Sequence, residues 1–427
     1  MKNKLIKLFC ISMMVFVAGC AQDVQSTEMS PAVDHEYQDT VALVTDPYGP
    51  LLNSSASTNT GYYELLLSAD ATANNILYTD FTTKQRIYLC SAPNCTHDND
   101  ACTSWMDYTA GGSYLFTSLD GQKLYYIQRG MEDSTETGEK NTGKIFIMNA
   151  DGSEKKILLD IGADGRISDA IAADSQSIYV SINTVDSFNA DPQKQLWRID
   201  ASTGAVEVLS KKLPAGSRIF GAFDTKLIFQ EAGETRFSYK AYDLKTRTFE
   251  ELISWDYDAF EGSHIVYGHR LFILKKQDVD SGELEIYDLR NMERTTVQNV
   301  PIYSGDTTWF KGFYDDQNLI VDVTDNSDAS NIRFLRYNVD IVSGAVTELT
   351  LVCSSNGYMR PISILCEAQD SLLVQYETYN GTIRSAYNGQ LTDMQMIDAP
   401  RLGLISKSDY FSSTPNFIAV ADHVISK

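Results

Sequence analysis

Short apolar segments preceded by polar turns recur six times along the chain. Their first residues are 54, 49, 44, 48 and 53 positions apart. Each segment has the length and the Leu, Ile, Val and Phe content of a half-buried strand. The six segments are Leu124–Ile127, Ile178–Val180, Leu227–Phe229, Leu271–Leu274, Leu319–Val321 and Leu372–Val374. A repeat of about this length that is built only from strands is typical of the blades of a β-propeller.

The second half of each repeat supports this interpretation. In the first copy a strand at Ile145–Met148 is followed by a turn at Asn149–Gly152 and a further strand at Ile157–Leu159. Asp, Asn and Gly provide the local hydrogen bonds and positive φ angles that tight hairpins need. The same order recurs in the later copies and is weakest in the sixth.

The two ends of the chain predict a seventh blade. Tyr62–Leu67, Ile76–Tyr78 and Arg86–Leu89 resemble the strands of one repeat, and Phe417–Val420 is a single strand with no repeat after it. Pairing these segments would close the ring and remove its open strand edges. The sequence therefore predicts one all-β propeller domain over residues 59–427, with seven blades and with eight or six as the alternatives.

The N-terminus has the pattern of a targeting segment. Lys2, Lys4 and Lys7 precede an apolar stretch, Leu8–Val17, that is short for a membrane span. The string Val17-Ala18-Gly19-Cys20 resembles the bacterial lipobox, whose cysteine is lipidated. We therefore expect a lipoprotein signal peptide over residues 1–19, lipidation at Cys20 and a flexible tether over residues 20–58. The alternative is an ordinary cleaved signal peptide in which the cysteine is incidental.

This targeting pattern predicts an exported protein on the extracytoplasmic face of the membrane, held there only by its lipid. The formal net charge is −22, and loss of the three signal-peptide lysines makes it −25. Nucleic acids and anionic lipids bind through clusters of Lys and Arg, and the mature chain has none. We expect no nucleic-acid partner. We interpret this acidity as favouring solubility. The more specific alternative is an acidic surface that binds cations or basic partners.

Three of the seven cysteines and one of the five histidines fall close together. Cys90, Cys95, His97 and Cys102 have the spacing C-x4-C-x-H-x4-C. Three thiolates and one imidazole form a complete ligand set for a structural zinc ion, although this is not a standard zinc-finger spacing. In an exported protein, a disulfide with one spare thiol is the first alternative. The second is packing without a ligand or a bond.

Other candidate residues carry weaker signals. Cys353 and Cys366 lie in neighbouring predicted strands and could form a disulfide or remain buried thiols. His264 and His269 lie on either side of the start of a strand and could face the central channel. Two segments that look like calcium loops, Asn149–Ser153 and Asp278–Gly282, lack the downstream bidentate Glu and are expected to be hairpin turns.

Several of these motifs together resemble a known family. The lipobox, the Tyr-rich strands, the string Leu89–Asp98 and the string Ser406–Tyr410 look like those of surface lipoproteins of Firmicutes bacteria, related to the DUF5050 and TolB-type propellers. The resemblance covers most of the chain and is most specific at the Cys/His string. It implies a propeller fold and a location on the cell surface, and it implies no particular activity.

Three functions remain open at the level of sequence. The first is a non-catalytic binding or scaffold propeller for a protein, peptide or glycan, acting as a monomer. The second is a carbohydrate-active lyase or hydrolase with its site in the propeller channel. The third is an accessory subunit of an envelope assembly or transport complex. The chain contains no G-x-S-x-G, H-E-x-x-H or phosphate-binding Gly loop, so no catalytic residue is predicted.

Overall fold

The structure is a computed structural model of the chain. It describes residues 40–46, 54–69, 71–108, 112–130, 142–162, 165–167, 170–184, 193–214, 216–256, 262–278, 280–302, 308–313, 316–328, 330–355, 357–387 and 390–426. Cys20, the predicted lipidation site, lies outside these ranges. Within the described ranges, no helix has the length and hydrophobicity needed to cross a membrane.

Apart from one two-stranded ribbon, the described strands form seven sheets, antiparallel except for one parallel pair in the first, that are arranged as a seven-bladed β-propeller; this confirms the predicted fold and blade number. Blade 1 contains Ser55–Ser57, Gly61–Leu67, Ala73–Asp80, Gln85–Tyr88 and Trp105–Asp107. Blade 2 contains Ser113–Thr117, Lys123–Gln128, Gly143–Asn149 and Lys156–Gly162. Blade 3 contains Gly165–Ile167, Ala172–Ala173, Ser177–Thr184, Gln193–Asp200 and Val206–Ser210.

The remaining four blades follow in chain order. Blade 4 contains Ser217–Phe223, Lys226–Ala232, Arg236–Asp243 and Thr248–Asp256. Blade 5 contains Gly262–Tyr267, Arg270–Lys276, Ser281–Asp288 and Glu293–Pro301. Blade 6 contains Thr308–Phe313, Asn318–Asp325, Arg333–Asp340 and Val346–Glu348. Blade 7 contains Ser363–Ala368, Ser371–Tyr387, Gln390–Ser406, Ile418–Ala419 and Ile425–Ser426.

Two smaller elements complete the described structure. A two-stranded ribbon, Val352–Ser355 with Tyr358–Pro361, lies between blades 6 and 7 in the chain. The short helix Lys407–Phe411 follows the third strand of blade 7, and the Ser406 side chain caps it by accepting a hydrogen bond from the Asp409 N–H.

The core lies between neighbouring blades, because each sheet buries both of its faces. In blade 6, Val321 and Val323 belong to a cluster shared with blade 5, whereas Ile320 belongs to a cluster shared with blade 7. Side chains alternate between the two faces of a strand, so consecutive residues serve different interfaces. The first strands of successive blades contact one another, as Ser55–Ser57 and Ser113–Thr117 do, and therefore surround the central channel.

Residues 418–422, which we name the clasp, join the last blade to the first. Ile418–Ala419 pairs with Gly403 and Leu404 of blade 7. Ala421–Asp422 then pairs in parallel with Gln85 and Arg86 of blade 1. The prediction that N- and C-terminal strands close the ring is confirmed. Each end blade has strands of its own, and the clasp adds an outer strand to both.

Buried charge and a long hairpin reinforce this closure. Arg86, 3% exposed, donates hydrogen bonds of 2.7 Å to both Glu64 and Asp422. The two 17-residue strands of blade 7 extend beyond the sheet, and Ile383 of this hairpin packs in one cluster with Leu77 of blade 1. The contact between blades 7 and 1 therefore combines apolar burial with a charge network.

The folded region begins earlier than the predicted boundary at residue 59. Ser55–Ser57 is the innermost strand of blade 1, and Ala42–Leu43 pairs with Ala172–Ala173 of blade 3. These strands, of three and two residues, are too short to show an alternating apolar pattern. The segment predicted as tether over residues 20–58 therefore contributes to two blades.

Candidate metal centre

The Cys/His loop, residues 89–104, interrupts the outer strand of blade 1. Gln85–Tyr88 pairs with one half of the strand Ala73–Asp80, and Trp105–Asp107 pairs with the other half. The loop is therefore an excursion within one blade edge. Strands on both sides fix its two ends.

The structure brings together all four predicted ligands. One ligand atom from each of Cys90, Cys95, His97 and Cys102 lies within 4.8 Å of the other three. Sulfur atoms bound at about 2.3 Å to one tetrahedral zinc would be roughly 3.8 Å apart, so only a small contraction is needed. Nδ1 of His97 is 3.2 Å from Sγ of Cys102. All three cysteines are free thiols in the structure.

Buried polar groups hold the loop in this shape. The Asn75 side chain donates to the His97 carbonyl at 3.3 Å and accepts from the Ser104 hydroxyl at 2.9 Å. The same hydroxyl lies 3.0 Å from Sγ of Cys102. His97 has a φ of 58°, a left-handed conformation that few residues adopt without support. Asn75, which lies on the neighbouring strand, thus fixes both the backbone of one ligand and the position of another.

Two further contacts link the loop to its surroundings. The Tyr88 ring stacks on the His97 ring with centroids 4.2 Å apart and an interplanar angle of 18°. Lys155, from blade 2, donates to the carbonyls of Cys102 at 3.2 Å and Trp105 at 2.7 Å. Such outer contacts orient metal ligands. No local sequence pattern points to Lys155, because it lies some 50 residues away in the next blade.

The pKa values of three of the candidate ligands are shifted in different directions by their surroundings. Burial lowers the pKa of His97, with Asp98 opposing it, which favours the neutral imidazole that metals require. Burial would raise the pKa of Cys90, but a hydrogen bond from the Ala92 backbone and its neighbouring thiols bring it below the usual value. Burial raises the pKa of Cys102 to about 11.

This arrangement can hold one metal ion and offers it a complete set of protein ligands. Three sulfurs and one nitrogen would fill a tetrahedral shell, which is the pattern of a structural site. A hydrolytic metal site keeps one position open for water or substrate. The geometry of these four residues therefore favours a role in stabilising the blade edge over a role in chemistry.

The other predicted thiol pair is not brought together in one cluster. Cys353 packs in the cluster around Leu349 and Tyr410, whereas Cys366 packs beside Tyr62 at the contact between blades 7 and 1. Both are free thiols, and burial raises the pKa of each. Cys353 lies in the ribbon and not in a strand that neighbours Cys366 within one sheet, so the proximity that the sequence suggested does not arise.

The two histidines of blade 5 have separate surroundings. His264 packs against Phe220, Phe237 and Tyr239 of blade 4 and lies at the interface between those blades. Burial first, and the charge of Arg218 second, lower the pKa of His264 to about 4. His269 lies in a turn. The segment Asn149–Ser153 forms a hairpin turn, as predicted, with Asp151 accepting from the Ser153 N–H and hydroxyl.

The channel contains a polar cavity of about 510 Å³ at the inner ends of blades 7, 1 and 2. The N-terminal segment forms part of its wall. Its polar lining consists of hydroxyl groups, the Cys366 thiol and the carboxylate of Asp46; the lining side chains include Thr45, Asp46, Ser55, Ser57, Tyr62, Thr117, Ser118 and Cys366. Burial raises the pKa of Tyr62 above its usual value. The described lining therefore pairs no carboxylate with a histidine or with a second carboxylate.

Comparison with known proteins gives fold-level likenesses at low identity. No family model and no curated protein matches the chain. TolB from Acinetobacter baumannii is 12% identical with a TM-score of 0.34, and the match covers 76% of this chain and 66% of TolB. An oligogalacturonate lyase in complex with manganese is 13% identical with a TM-score of 0.47, over 84% of this chain and 91% of the lyase.

A third solved structure is the β-propeller domain of the Trilobed protease from Pyrococcus furiosus. It is 10% identical with a TM-score of 0.45, and the match covers 90% of this chain and 98% of that domain. At these TM-scores none of the three proteins assigns an activity to this chain.

Proposed function

We propose that the protein is an exported lipoprotein, anchored through Cys20, whose propeller binds a protein, peptide or glycan without transforming it. The channel cavity is the observation that carries the non-catalytic part. Its hydroxyl-rich lining, with the single carboxylate of Asp46, suits hydrogen bonding to a polar ligand. General acid–base catalysis needs two groups whose pKa values are matched to opposite roles.

The path of the N-terminal segment supports anchoring at the channel side of the ring. The Val41 N–H donates to the Asp224 carbonyl of blade 4, and the Val44 N–H donates to the Ile171 carbonyl of blade 3. A lipid on Cys20 would lie 20 residues before Thr40. Such a stretch spans at most about 70 Å when fully extended. The anchor would then hold Thr40 within about 70 Å of the membrane surface.

We propose further that the Cys/His centre holds zinc. Three thiolates and one imidazole are the donors that zinc selects over magnesium or calcium, and zinc needs no redox partner. The zinc ion would stabilise the Cys/His loop, which interrupts the outer strand of blade 1. This loop directly follows the strand with which the clasp pairs. In this view the centre stabilises the ring that carries the binding surface.

Anchoring and binding are tested in one set of experiments. Wild-type protein and the Cys20→Ala variant are compared by cell fractionation and by labelling with a radioactive fatty acid. The wild type should be labelled and remain with the membrane, whereas the variant should be unlabelled. Purified protein is then incubated with polysaccharides while reducing ends and absorbance of unsaturated products are followed.

Binding without new reducing ends or unsaturated products supports the proposal. Sustained product formation would replace it with the carbohydrate-active enzyme alternative. Stoichiometric recovery of the protein in one defined envelope complex would favour the accessory-subunit alternative. An unlabelled wild-type protein would remove the lipid anchor from the proposal.

A further inference from the structure

A second cavity, of about 430 Å³, lies between blades 6 and 7 and the ribbon Val352–Pro361. Small-molecule sites occupy roughly 300–1,000 Å³ and contain a few convergent polar groups. We name this cavity the blade 6/7 cleft. It lies away from the Cys/His loop and from the clasp, and no residue of the metal centre lines it.

Four cross-strand pairs line the cleft. Directly opposed residues in antiparallel strands point to the same face, so both members of each pair are presented together. The pairs are Asp322 with Arg336, Thr324 with Phe334, Cys353 with Arg360, and Ser363 with Gln375. Three separate sheets therefore contribute side chains to one space.

The pair formed by Asp322 and Arg336 is a rigid part of the cleft wall and carries no net charge. Arg336, 3% exposed, donates to Asp322 through two nitrogens, one of them at 2.8 Å. It also donates to the Ile362 carbonyl and, at 3.0 Å, to the Tyr410 hydroxyl. These hydrogen bonds fix the guanidinium, so its charge is already balanced by the protein.

Arg360 differs from Arg336 in every one of these respects. Its side chain is exposed, and its guanidinium lies over the Phe334 ring at 4.1 Å and near the Tyr358 ring at 5.9 Å. Within the described part of the chain, the guanidinium of Arg360 makes no hydrogen bond and no ion pair. A guanidinium stacked on a ring keeps its in-plane N–H donors free, in the geometry that matches a carboxylate.

Neutral polar groups accompany this charge. In the described ranges, the side chains of Thr324, Ser363 and Gln375 have no hydrogen-bond partner in the protein. Together they provide two hydroxyls and one amide beside the aromatic ring of Phe334. Hydroxyl and amide groups next to an aromatic face suit a sugar ring, which has polar edges and an apolar face.

The backbone around the cleft is mostly already paired. The strand Asn318–Asp325 has a partner on each side, and so has Ser371–Tyr387. An extended peptide binds by adding a strand to an open edge, and the two principal walls offer no such edge. At these two walls recognition therefore depends on side chains, which favours a compact ligand.

We propose that the blade 6/7 cleft binds a carboxylate-bearing sugar, with Arg360 binding the carboxylate and Thr324, Ser363 and Gln375 binding the ring hydroxyls. The inference rests on the proposed binding function, adds a binding site distinct from the channel cavity, and names the ligand class of that site. A neutral sugar would leave the guanidinium without an acceptor, and a simple carboxylate would leave the three neutral groups without partners.

The test uses the full-length protein and two matched pairs of probes. Methyl glucuronide is compared with methyl glucoside, and methyl galacturonide with methyl galactoside, by calorimetry and saturation-transfer NMR. At least one acidic glycoside should bind at least tenfold more tightly than its neutral partner. Raising the salt concentration should weaken that binding, because the contact is between opposite charges.

Two variants locate the binding. Arg360→Gln should lose at least tenfold in affinity for the acidic glycoside, whereas Arg384→Gln should bind as the wild type does. Arg384 is 70% exposed on the blade 7 hairpin and pairs with Asp393, so it is a matched surface control. Equal thermal stability of both variants would show that the loss does not come from unfolding.

Three outcomes would overturn the inference: equal affinity for acidic and neutral glycosides, no binding of any of the four, or unchanged binding by Arg360→Gln. Binding of an acetylated dipeptide with the same affinity as the sugar would replace it with recognition of a peptide C-terminus. Conversion of a bound glycoside to product would instead refute the non-catalytic function, while the Arg360 variant would still decide whether the cleft is the site.

Discussion

Replacing His97 with alanine removes one of the four candidate metal ligands and the ring that stacks on Tyr88. We expect the variant to lose bound zinc and thermal stability together. The loop should loosen, but the blade should persist, because Lys155 and the strand pairing on both sides of the loop do not depend on the metal.

The size of the effect follows from linkage. With free zinc about 1,000-fold above its dissociation constant, binding stabilises the folded state by about 4 kcal/mol. A domain of this size has an unfolding entropy of roughly 0.8 kcal/mol per kelvin, from about 2 cal/mol/K per residue. The wild type should therefore melt about 5 °C lower after treatment with a zinc chelator, and the variant should melt near that lower temperature.

The assay combines native mass spectrometry with thermal melts under reducing conditions. The wild type should carry one zinc that the chelator removes, whereas His97→Ala should carry none. His269→Ala is the matched control, since His269 lies in a turn of blade 5 outside the Cys/His loop, with its imidazole 3.7 Å from Asp288. It should retain the metal and respond to the chelator as the wild type does.

Two results would refute this reasoning. A protein prepared without reductant that is metal-free and short by two hydrogens would show a disulfide in place of the metal. A wild type that binds zinc but melts at the same temperature with and without chelator would show that the centre does not stabilise the fold.

Two further predictions concern buried charge. Arg86→Met should destabilise the protein by about 3–5 kcal/mol, because it leaves the carboxylates of Glu64 and Asp422 without their buried partner; urea denaturation measures this loss. The pKa of His264 is about 4 in the folded protein, against an ordinary value of 6.5. The unfolded chain therefore binds this proton more readily, so stability is complete above pH 6.5 and falls between pH 6.5 and 4, by up to about 1.4 kcal/mol per pH unit. Denaturation of His264→Gln across this range should show a shallower slope.

The controls for these two predictions are matched by residue type. Arg384→Met removes an arginine whose side chain is 70% exposed and should change stability by less than 1 kcal/mol. A similar loss of stability in both arginine variants would show that the charge network at the clasp contributes no more to stability than an exposed ion pair does. An unchanged pH slope in His264→Gln would show that other groups account for the acid sensitivity.

The repeat was predictable because burial recurs at equivalent positions. The first residue of each of the six repeated segments, from Leu124 to Leu372, is at most 1% exposed. Such positions tolerate only large apolar side chains. The distances along the chain between these residues therefore reveal the spacing of the blades. The gathering of the Cys/His ligands was also predictable, since all four fall within one loop.

The remaining features depend on pairings that leave no local pattern. Ser55–Ser57 contains no apolar residue larger than alanine, and Ala42–Leu43 is too short to show alternation. The blade 6/7 cleft is formed by residues from Asp322 to Gln375 on three sheets. Its character comes from the Arg360 guanidinium, which lies over Phe334 and has no hydrogen-bond partner among the described residues, and a sequence does not show which arginines will be placed in this way.

The clasp has a consequence for the order in which the molecule is made. Arg86 and Asp422, which meet in the clasp, are 336 positions apart in the chain. Contacts between such distant positions form late and slowly. The Cys/His loop, in contrast, joins residues at most 12 positions apart and can form as soon as blade 1 has emerged. A chain cut short before residue 418 would carry a completed Cys/His loop on a ring with two open ends, exposed to proteases and to other unpaired strands.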